Sequence, residues 1–439
     1  DHSGGPFAPL TESVMRLLIA NLLVVASLVG IAPSRACAEQ LYDVVLFGAV
    51  GDGKTVNTKA IQDTLNECGK KGVCFVLIPP GTYLSGPLTL RDKTTLRVDE
   101  GSTLKAIDDP AAYARTDKPG QFNHFLTGKD LEDITIEGGG TIDGSGERWW
   151  IPAEEARQKK SGYTLPRPNL IVLTRVKNLT VRNVTIQNSP KFHFVPTECD
   201  GVLVEHCTFL APERAPNTDA IDPSMCRNVT IRGCTIDVGD DNIAVKSGKP
   251  AAGREFASDG LLVEKCTFKH GHGVSIGSEV VGGVKDVVVR DCTFENTDYG
   301  IRIKTDRKKG GTVENLLYEN LTMTNVRGAI TFTAYYHKIP ASDSPKPVTK
   351  PTPIYKNIIV RNLQATSTKD AGVIVGLPES PIENVLLENV AITSAGKGLE
   401  IRHVRGIELR NVTIAPKQGE PLIINDADPK GDSASARID

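Results

Sequence analysis

The sequence predicts an all-β protein, a right-handed parallel β-helix of about ten turns with a short N-terminal capping helix. Three observations support this prediction. A short segment recurs along the chain, its residue types favour strands, and no single copy is long enough to bury a core alone. The 439 residues are therefore interpreted as one elongated repeat structure, although their number alone would suit two or three domains.

The recurring segment reads Asn-Val-Thr-Ile-Arg-Gly-Cys-Thr-Ile at residues 228–236, and its copies begin 22 to 45 residues apart. Its β-branched triplets favour half-buried strands, and alternation turns one face inward. The polar residue between the triplets tolerates the left-handed backbone of a sharp bend. A β-propeller would require more regular, antiparallel groups and is the weaker alternative. The copies begin at Asp133, Asn178, Gly201, Asn228, Gly260, Asp286, Asn315, Asn357, Asn384 and Gly406.

The first 38 residues are interpreted as an upstream extension followed by a secretory signal peptide, Met15–Ala38. An almost entirely apolar run, Leu17 to Ile31, precedes the small-residue cleavage pattern Ala36-Cys-Ala38. Residues 39–439 are then expected to form a single β-helix domain that is exported from the cell.

Gly48–Thr55 fits a phosphate-binding loop, with an apolar strand before it and a helical pattern from Thr58 to Glu67 after it. The expected export and the long run of strand repeats that follows argue against nucleotide hydrolysis. The segment is instead interpreted as a turn leading into a helix that covers the N-terminal end of the solenoid. A formal net charge of −2 is not typical of a nucleic-acid-binding protein.

The cysteines are interpreted as structural. Four of them recur at one repeat position, where other copies have Val or Leu, so a buried ladder is favoured over a metal or redox cluster. Cys68 and Cys74 are the best disulfide candidates in an exported protein, and Cys199 and Cys226 could form another. The ladder consists of Cys207, Cys234, Cys266 and Cys292.

Four polar motifs occur at the start of the third strand in consecutive repeats. Aligning the inward residues Ile221, Ile243, Val274 and Ile301 places Asp219, Asp241 and His272 in one column, with Asp240 beside it. Arg302 and Lys304 then project from the next turn. The motifs are Asn217-Thr-Asp219, Gly239-Asp240-Asp241, Gly271-His272-Gly273 and Arg302-Ile-Lys304.

Three carboxylates this close repel one another, so at least one of them is expected to have a raised pKa. Such a set can cleave a glycosidic bond, because one carboxylic acid protonates the leaving oxygen while another carboxylate activates water. Arg302 and Lys304 could hold a substrate carboxylate. A calcium site, or a set of turn-capping aspartates, is the alternative explanation. Trp149 and Trp150 could stack on a sugar ring or anchor a loop.

With these motifs, the chain resembles the polygalacturonases of glycoside hydrolase family 28. The similarity extends over roughly residues 41–425 and includes Phe47-Gly-Ala-Val-Gly-Asp-Gly, Ile78-Pro-Pro-Gly-Thr-Tyr and Gly140-Thr-Ile-Asp-Gly. At Asn242 the chain departs from many fungal members, which have a disulfide cysteine there.

The resemblance implies a role for each motif residue. Asp240 is the expected general acid, Asp219 and Asp241 the residues that activate water, and His272 the group that tunes the protonation of the acid. Arg302 and Lys304 are expected to bind a galacturonate carboxylate. Asn217 and Tyr335 are further substrate-binding candidates, with Tyr336 as the alternative to Tyr335. The family inverts the anomeric carbon, which implies carboxylate separations of roughly 6.5–9.5 Å.

The expected protein is thus a secreted, monomeric hydrolase of pectin or polygalacturonate that acts on internal α-1,4 bonds. No cofactor, metal, nucleic acid or membrane is expected to take part. Three alternatives stay open: an exo-acting enzyme, a calcium-dependent pectate lyase on the same fold, and a non-catalytic polysaccharide-binding β-helix. Loops determine whether action is endo or exo, and the segment 338–353 is one such loop.

Overall fold

Short parallel strands make up most of the described chain. The computed structural model describes residues 40–159, 165–248, 257–336, 338–431 and 433–434. The strands, β1 to β30 in chain order, are Gln40–Asp43, Asp52–Val56, Cys74–Ile78, Gly81–Ser85, Leu88–Thr89, Thr94–Val98, Ser102–Ala106, Leu126–Glu137, Thr141–Asp143, Ile171–Arg182, Thr185–Gln187, Phe194–Thr197, Asp200–Glu205, Thr208–Leu210, Arg227–Arg232, Thr235–Asp237, Ile243–Val245, Ser258–Glu264, Thr267–Phe268, Val274–Gly277, Val284–Glu295, Tyr299–Lys304, Thr312–Val326, Gly328–Thr333, Ile354–Ser367, Gly372–Val375, Ile382–Ser394, Leu399–Pro416, Leu422–Ala427 and Ser433–Ala434.

Two α-helices, α1 (Thr58–Gly69) and α2 (Glu147–Gln158), and two short 3-10 helices, Val44–Phe47 and Pro110–Tyr113, complete the described elements. The strands form three parallel ladders, and each turn of the chain adds one rung to each ladder. The parallel β-helix predicted from the repeats is therefore confirmed. Among the described residues, one of these ladders, called the site ladder here, has twelve rungs. Its rungs are β5, β8, β10, β12, the bridged segment Ile221–Ser224, β17, β20, β22, β24, β26, β28 and β29.

The polar residue between the two triplets of each repeat makes the bend. Asn228 and Asn315 have φ angles of 53° and 59°, in the left-handed region that asparagine tolerates. The side chains at this position also bond along the solenoid. Asn384 donates to Asn357 at 3.1 Å, and Asn357 donates to Asn315 at 3.0 Å. These bonds stabilise the turn and hold neighbouring rungs in one register.

The interior is a continuous stack of apolar side chains. Phe268 and Phe294, on neighbouring rungs, have ring centroids 4.8 Å apart. The four ladder cysteines are buried and free, as are Cys199 and Cys226, so the second disulfide considered from the sequence is not formed. Cys68 and Cys74 are disulfide-bonded, as predicted.

Helix α1 confirms the predicted N-terminal helix. It buries Ile61 and Leu65 completely against the first strands of the solenoid. The glycine-rich segment Gly48–Thr55 follows the 3-10 helix and leads into β2, and its Asp52 accepts hydrogen bonds from the backbone of Lys54 and Thr55. The predicted signal peptide lies outside the described residues. Within the described part of the chain, no helix is long and apolar enough to cross a bilayer.

Candidate active site

The register of the site ladder brings the predicted polar motifs together. Ile221 pairs with Ile243, Ile243 with Val274, and Val274 with Ile301. Because the interior positions align, the residues two places before them align as well. The column predicted from the sequence therefore exists, and it contains Asp219, Asp241 and His272 on three consecutive rungs.

His272 lies between the carboxylates. Its Nδ1 is 3.0 Å from Oδ1 of Asp240 and 3.6 Å from Oδ1 of Asp241, while its Nε2 is 3.6 Å from Oδ2 of Asp298. Tyr299 packs against the imidazole edge to face, with ring centroids 5.9 Å apart. The imidazole is thus placed to exchange a proton with the carboxylate pair that the sequence identified.

Two cations hold Asp241 from the rung that follows His272. Lys304 Nζ donates to Oδ2 of Asp241 at 2.5 Å, and Arg302 Nη1 is 3.6 Å from its Oδ1. Arg302 also lies over the Tyr299 ring, 4.1 Å from the centroid. Side-chain exposure is only 7% for Lys304 and 2% for Asp241, so this is a buried ion pair. Arg302, with 13% exposure, is the more accessible cation.

The environment separates the pKa values of the carboxylates. Burial, reinforced by the charges of Asp222 and Asp240, raises the pKa of Asp219 well above its usual range. Burial also acts to raise the pKa of Asp241, but Lys304 and His272 outweigh it and the pKa falls below the usual range. Asp240 likewise has a lowered pKa, because its contact with His272 outweighs burial. The prediction that crowding raises at least one pKa is met at Asp219.

The pKa of the His272 imidazole shifts in the direction opposite to that of Asp240. Burial alone would lower the pKa of His272, but contact with the carboxylates of Asp240 and Asp241 raises it to about 9. The free protein at neutral pH therefore has an imidazolium ion between two carboxylates. Since these groups are strongly coupled, the proton belongs to the cluster as a whole.

A second ion pair, missed in the sequence, supports Asp219. Lys246 Nζ bonds to Asp222 and lies 3.6 Å from Oδ2 of Asp219. Burial would lower the pKa of Lys246, but the charges of Asp222 and Asp219 raise it above its usual range. A signal was present, because Lys246 ends Ile-Ala-Val-Lys at the strand position where Lys304 ends Ile-Arg-Ile-Lys.

Asn217 joins the cluster through both ends of its amide. Its Nδ2 lies 3.5 Å from Oδ2 of Asp240, and its Oδ1 accepts a 2.6 Å bond from Nη2 of Arg167. Arg167, also missed in the sequence, donates through Nη1 to the carbonyl oxygens of Pro190 and Pro216. It thereby ties two neighbouring rungs together beside the carboxylates.

The two candidate tyrosines occupy different places. The Tyr335 hydroxyl donates to Asp343 at 3.0 Å, and Asp343 also accepts from Arg307 at 2.6 Å. The Tyr336 ring centroid lies 5.8 Å from Lys304 Nζ. Tyr335 therefore holds the segment 338–353, and Tyr336 is the tyrosine beside the buried lysine. A substrate-binding role for Tyr335 stays a prediction.

The two tryptophans anchor helix α2. Trp149 is buried and packs edge to face on Phe122, with ring centroids 4.8 Å apart. Trp150 Nε1 donates to the carbonyl oxygen of Ser189 at 2.9 Å. The sequence left open whether the tryptophans stack on a sugar ring or anchor a loop. These contacts favour an anchoring role over sugar stacking.

By distance alone, Asp240, Asp241 and His272 could hold a cation, since one ligand atom of each lies within 4.8 Å of the others. These Asp240 and Asp241 oxygens are closer than the separation of roughly 6.5–9.5 Å that the family resemblance implied, so this pair does not meet that expectation. A cation would have to displace the imidazolium proton and share Asp241 with Lys304 and Arg302. Because protein cations already balance the charge of the carboxylates, acid–base chemistry fits this cluster better than metal binding does.

Several buried polar atoms of the cluster have no aligned hydrogen-bond partner among the described residues. Buried polar groups are normally satisfied, so a concentration of exceptions in one place indicates groups that bind something else. The atoms are Oδ1 of Asp219, Oδ1 of Asp222, Nδ1 of His272, Nη1 of Arg302 and Nε of Arg167.

A match to a protein family agrees with this fold and with this cluster of acids and cations. Residues 68–413 match the family described as "Glycosyl hydrolases family 28". The chain belongs to this family and is a glycoside hydrolase.

Named relatives agree with this assignment. A "Probable polygalacturonase" of Vitis vinifera is 32% identical over 385 residues, covering 83% of this chain and 77% of the relative. An "Endo-polygalacturonase" of Pectobacterium carotovorum subsp. carotovorum is 35% identical over 355 residues, covering 77% of this chain and 84% of the relative. The crystal structure of an exopolygalacturonase from Thermotoga maritima superposes with a TM-score of 0.75 at 25% identity and covers 95% of this chain and 96% of that chain.

Proposed function

We propose that this protein hydrolyses the α-1,4 bonds between galacturonate units of pectin or polygalacturonate. The observation that carries the proposal is the column of two aspartates and a histidine on consecutive rungs, beside two cations of which Lys304 is buried. Carboxylates can perform the acid and base steps, and cations suit a substrate that bears a carboxylate on every sugar. The names of the relatives support the same substrate.

Asp240 is the proposed general acid. Its side chain has 21% exposure, against 5% for Asp219 and 2% for Asp241, so it is the carboxyl group that an incoming sugar oxygen can best reach. Its pKa is low in the free protein because of the imidazolium beside it. An anionic sugar bound nearby adds negative charge and raises this pKa. His272 is then the proton donor closest to Asp240, and the proton can move to Asp240 before the leaving oxygen takes it.

Asp219 and Asp241 are proposed to position and deprotonate the attacking water. Asp241 is kept ionised by Lys304, and Lys246 opposes the rise in the pKa of Asp219. Water attacking on the face opposite to the leaving group gives inversion of the anomeric carbon.

Substrate binding is assigned to the polar groups around the acids. Arg302, the more accessible of the two cations and stacked on Tyr299, is proposed to bind a galacturonate carboxylate. The same role was predicted for Lys304, but its buried ammonium donates to Asp241, so Lys304 is proposed to contribute positive charge there instead. Asn217 is proposed to bind a sugar hydroxyl, and Tyr335 or the neighbouring Tyr336 to contact a sugar.

Endo action is the finer part of the proposal. The Pectobacterium relatives named as endo enzymes are 35% identical to this chain, whereas the structurally similar exo enzyme is 25% identical. One observation favours exo action instead. The segment 338–353 is fixed across later rungs of the site ladder, where Arg402 donates to the carbonyl oxygens of Pro340 and Ala341 at 2.9 Å.

The proposal also includes export by a signal peptide within residues 1–38 and a monomeric mature domain, 39–439. The disulfide between Cys68 and Cys74 supports an oxidising destination. N-terminal sequencing of protein from culture medium, together with light scattering, tests both parts. A retained leader or a dimer would contradict them.

The activity is tested on polygalacturonate in the presence of a chelator. New reducing ends and a rapid fall in viscosity with mixed oligomers are expected, and Asp240→Asn should produce neither. Release of only monomer or dimer would establish exo action. Unsaturated products that absorb in the ultraviolet and are lost on chelation would establish a lyase, and binding without cleavage would indicate a non-catalytic protein.

A further inference from the structure

A turn on the rung before Asp219 presents a lysine that the proposed mechanism does not use. Phe194 pairs with Ile221, so Phe192 has on its rung the position that Asp219 has on the next. Lys191 precedes Phe192 directly and stands on the N-terminal side of the acids. Arg302 and Lys304 are on the C-terminal side.

The turn that carries Lys191 is firmly held. Ser189 Oγ donates to the carbonyl oxygen of Phe192 at 2.8 Å and accepts from the backbone N–H of Lys191 at 3.3 Å. Arg167 Nη1 donates to the carbonyl oxygen of Pro190 at 3.0 Å, and Trp150 holds the carbonyl oxygen of Ser189. The lysine therefore projects from a rigid support, which is what a binding residue requires.

The Lys191 ammonium group is half-buried. It lies over the Phe192 ring, 4.5 Å from the centroid, and Lys246 Nζ lies 4.4 Å from the same centroid. Among the described residues it has no hydrogen-bond or ion-pair partner. Burial and the charge of Arg167 lower the pKa of Lys191, while Asp219 and Asp222 oppose the fall. The cation thus adjoins the site without a carboxylate of its own.

We propose that Lys191 binds the carboxylate of a galacturonate unit on the N-terminal side of the acids, on a support built by Arg167 and Phe192. The substrate chain is then held by cations on both sides of the bond that is cleaved. The anion that pairs with Lys191 is expected to come from the ligand, because the carboxylates of Asp219 and Asp222 already pair with Lys246. This inference rests on the proposed function, since it assumes a polyanionic sugar chain in the groove.

The test compares tetragalacturonate with four tetrasaccharides, each with one carboxyl group reduced to a neutral alcohol. Lys191→Met keeps the methylene stem over Phe192 and removes the charge. A hydrogen bond to a charged group contributes about 1.5–3 kcal/mol, so kcat/KM on tetragalacturonate should fall roughly 10- to 100-fold, mainly through KM. On the tetrasaccharide that lacks the carboxylate bound by Lys191, the variant and the wild type should have the same kcat/KM. Lys191→Arg should retain most of the activity.

Lys177→Met is the matched control, because Lys177 is 71% exposed, pairs with Glu132 and aligns with Asp200 of β13, which is not a rung of the site ladder. An equal loss on all five substrates would overturn the inference and show that Lys191 acts only on the charge or shape of the site. Binding of tetragalacturonate to Asp240→Asn, with and without Lys191→Met, is measured by calorimetry. If the wild type cleaves nothing, the proposed function fails. The calorimetry still shows whether Lys191 binds the ligand, because Lys191→Met should then weaken the binding of tetragalacturonate. Lys191→Gln replaces Lys191→Met if the latter does not fold.

Discussion

The buried pair between Lys304 and Asp241 gives the most quantitative prediction. Lys304→Met should destabilise the protein because it leaves the Asp241 carboxylate in a site with 2% exposure. Breaking a buried ion pair by removing one partner costs about 3–5 kcal/mol. Arg302, whose Nη1 lies 3.6 Å from Oδ1 of Asp241, still compensates part of the carboxylate charge. We therefore expect a loss of about 3 kcal/mol in the free energy of unfolding.

A double-mutant cycle separates the pair from its surroundings. Asp241→Asn leaves the ammonium of Lys304 unpaired and should cost about the same. The double variant leaves neither charge uncompensated, so its loss should be close to that of one single variant. The coupling energy is then about 3 kcal/mol, whereas independent sites add within about 0.5 kcal/mol.

Urea unfolding at pH 7, followed by fluorescence and by circular dichroism, measures these free energies, provided that the two transitions coincide. Lys356→Met is the control, since its pair with Glu314 has side-chain exposures of 37% and 28% and should contribute less than about 1 kcal/mol. Additive losses in the double variant would show that Lys304 and Asp241 do not stabilise each other, and so would a Lys304→Met loss no larger than that of Lys356→Met.

Three further predictions concern the acids and their partners. Asp240→Asn should lower kcat by at least about 10²-fold, as expected for a lost general acid, while its circular dichroism spectrum stays that of the wild type; an active variant would remove Asp240 from that role. The pKa of His272 rises from 6.5 to about 9 on folding, so its stabilising effect is complete below pH 6.5 and is lost as the pH rises to about 9. The advantage of the wild type over His272→Asn in free energy of unfolding should shrink by on the order of 3 kcal/mol across that range, and an advantage that does not change with pH would contradict the shift. Lys246→Met removes the cation that opposes the rise in the pKa of Asp219, so the acidic limb of the kcat/KM profile should move to higher pH. A limb that stays in place would show that Asp219 is not the titrating base.

The column of acids could be predicted from the sequence because backbone pairing determines it. Asn228 and its equivalents mark each bend, and strict alternation within the strands then fixes which residues share a column. Once Ile221, Ile243 and Val274 are aligned, Asp219, Asp241 and His272 follow without knowledge of any side-chain conformation.

What the sequence did not reveal depends on long side chains and on burial. The strand position of Lys246 can be read from the repeat, but its contacts with Asp222 and Asp219 on the neighbouring rung depend on side-chain conformation. The segment 338–353 has no repeat, so its attachment through Arg307 and Arg402 was not foreseeable.

The sequence also does not show which carboxyl group of the cluster has the raised pKa. The sequence-based argument from repulsion requires only that some carboxyl group have a raised pKa, and it does not say which. The rise falls on Asp219, whose carboxylate is buried beside that of Asp222, whereas the imidazolium of His272 keeps the pKa of Asp240 low. Assigning the acid therefore needs side-chain positions as well as the motif.

The anomeric form of the first product shows whether the protein hydrolyses its substrate with inversion. Proton NMR of tetragalacturonate, recorded in the first minutes after wild-type protein is added with a chelator, distinguishes the forms before mutarotation mixes them. Water delivered by buried aspartates opposite Asp240 should give the β-anomer first. An initial α-anomer, or the olefinic signal of an unsaturated sugar, would contradict this account.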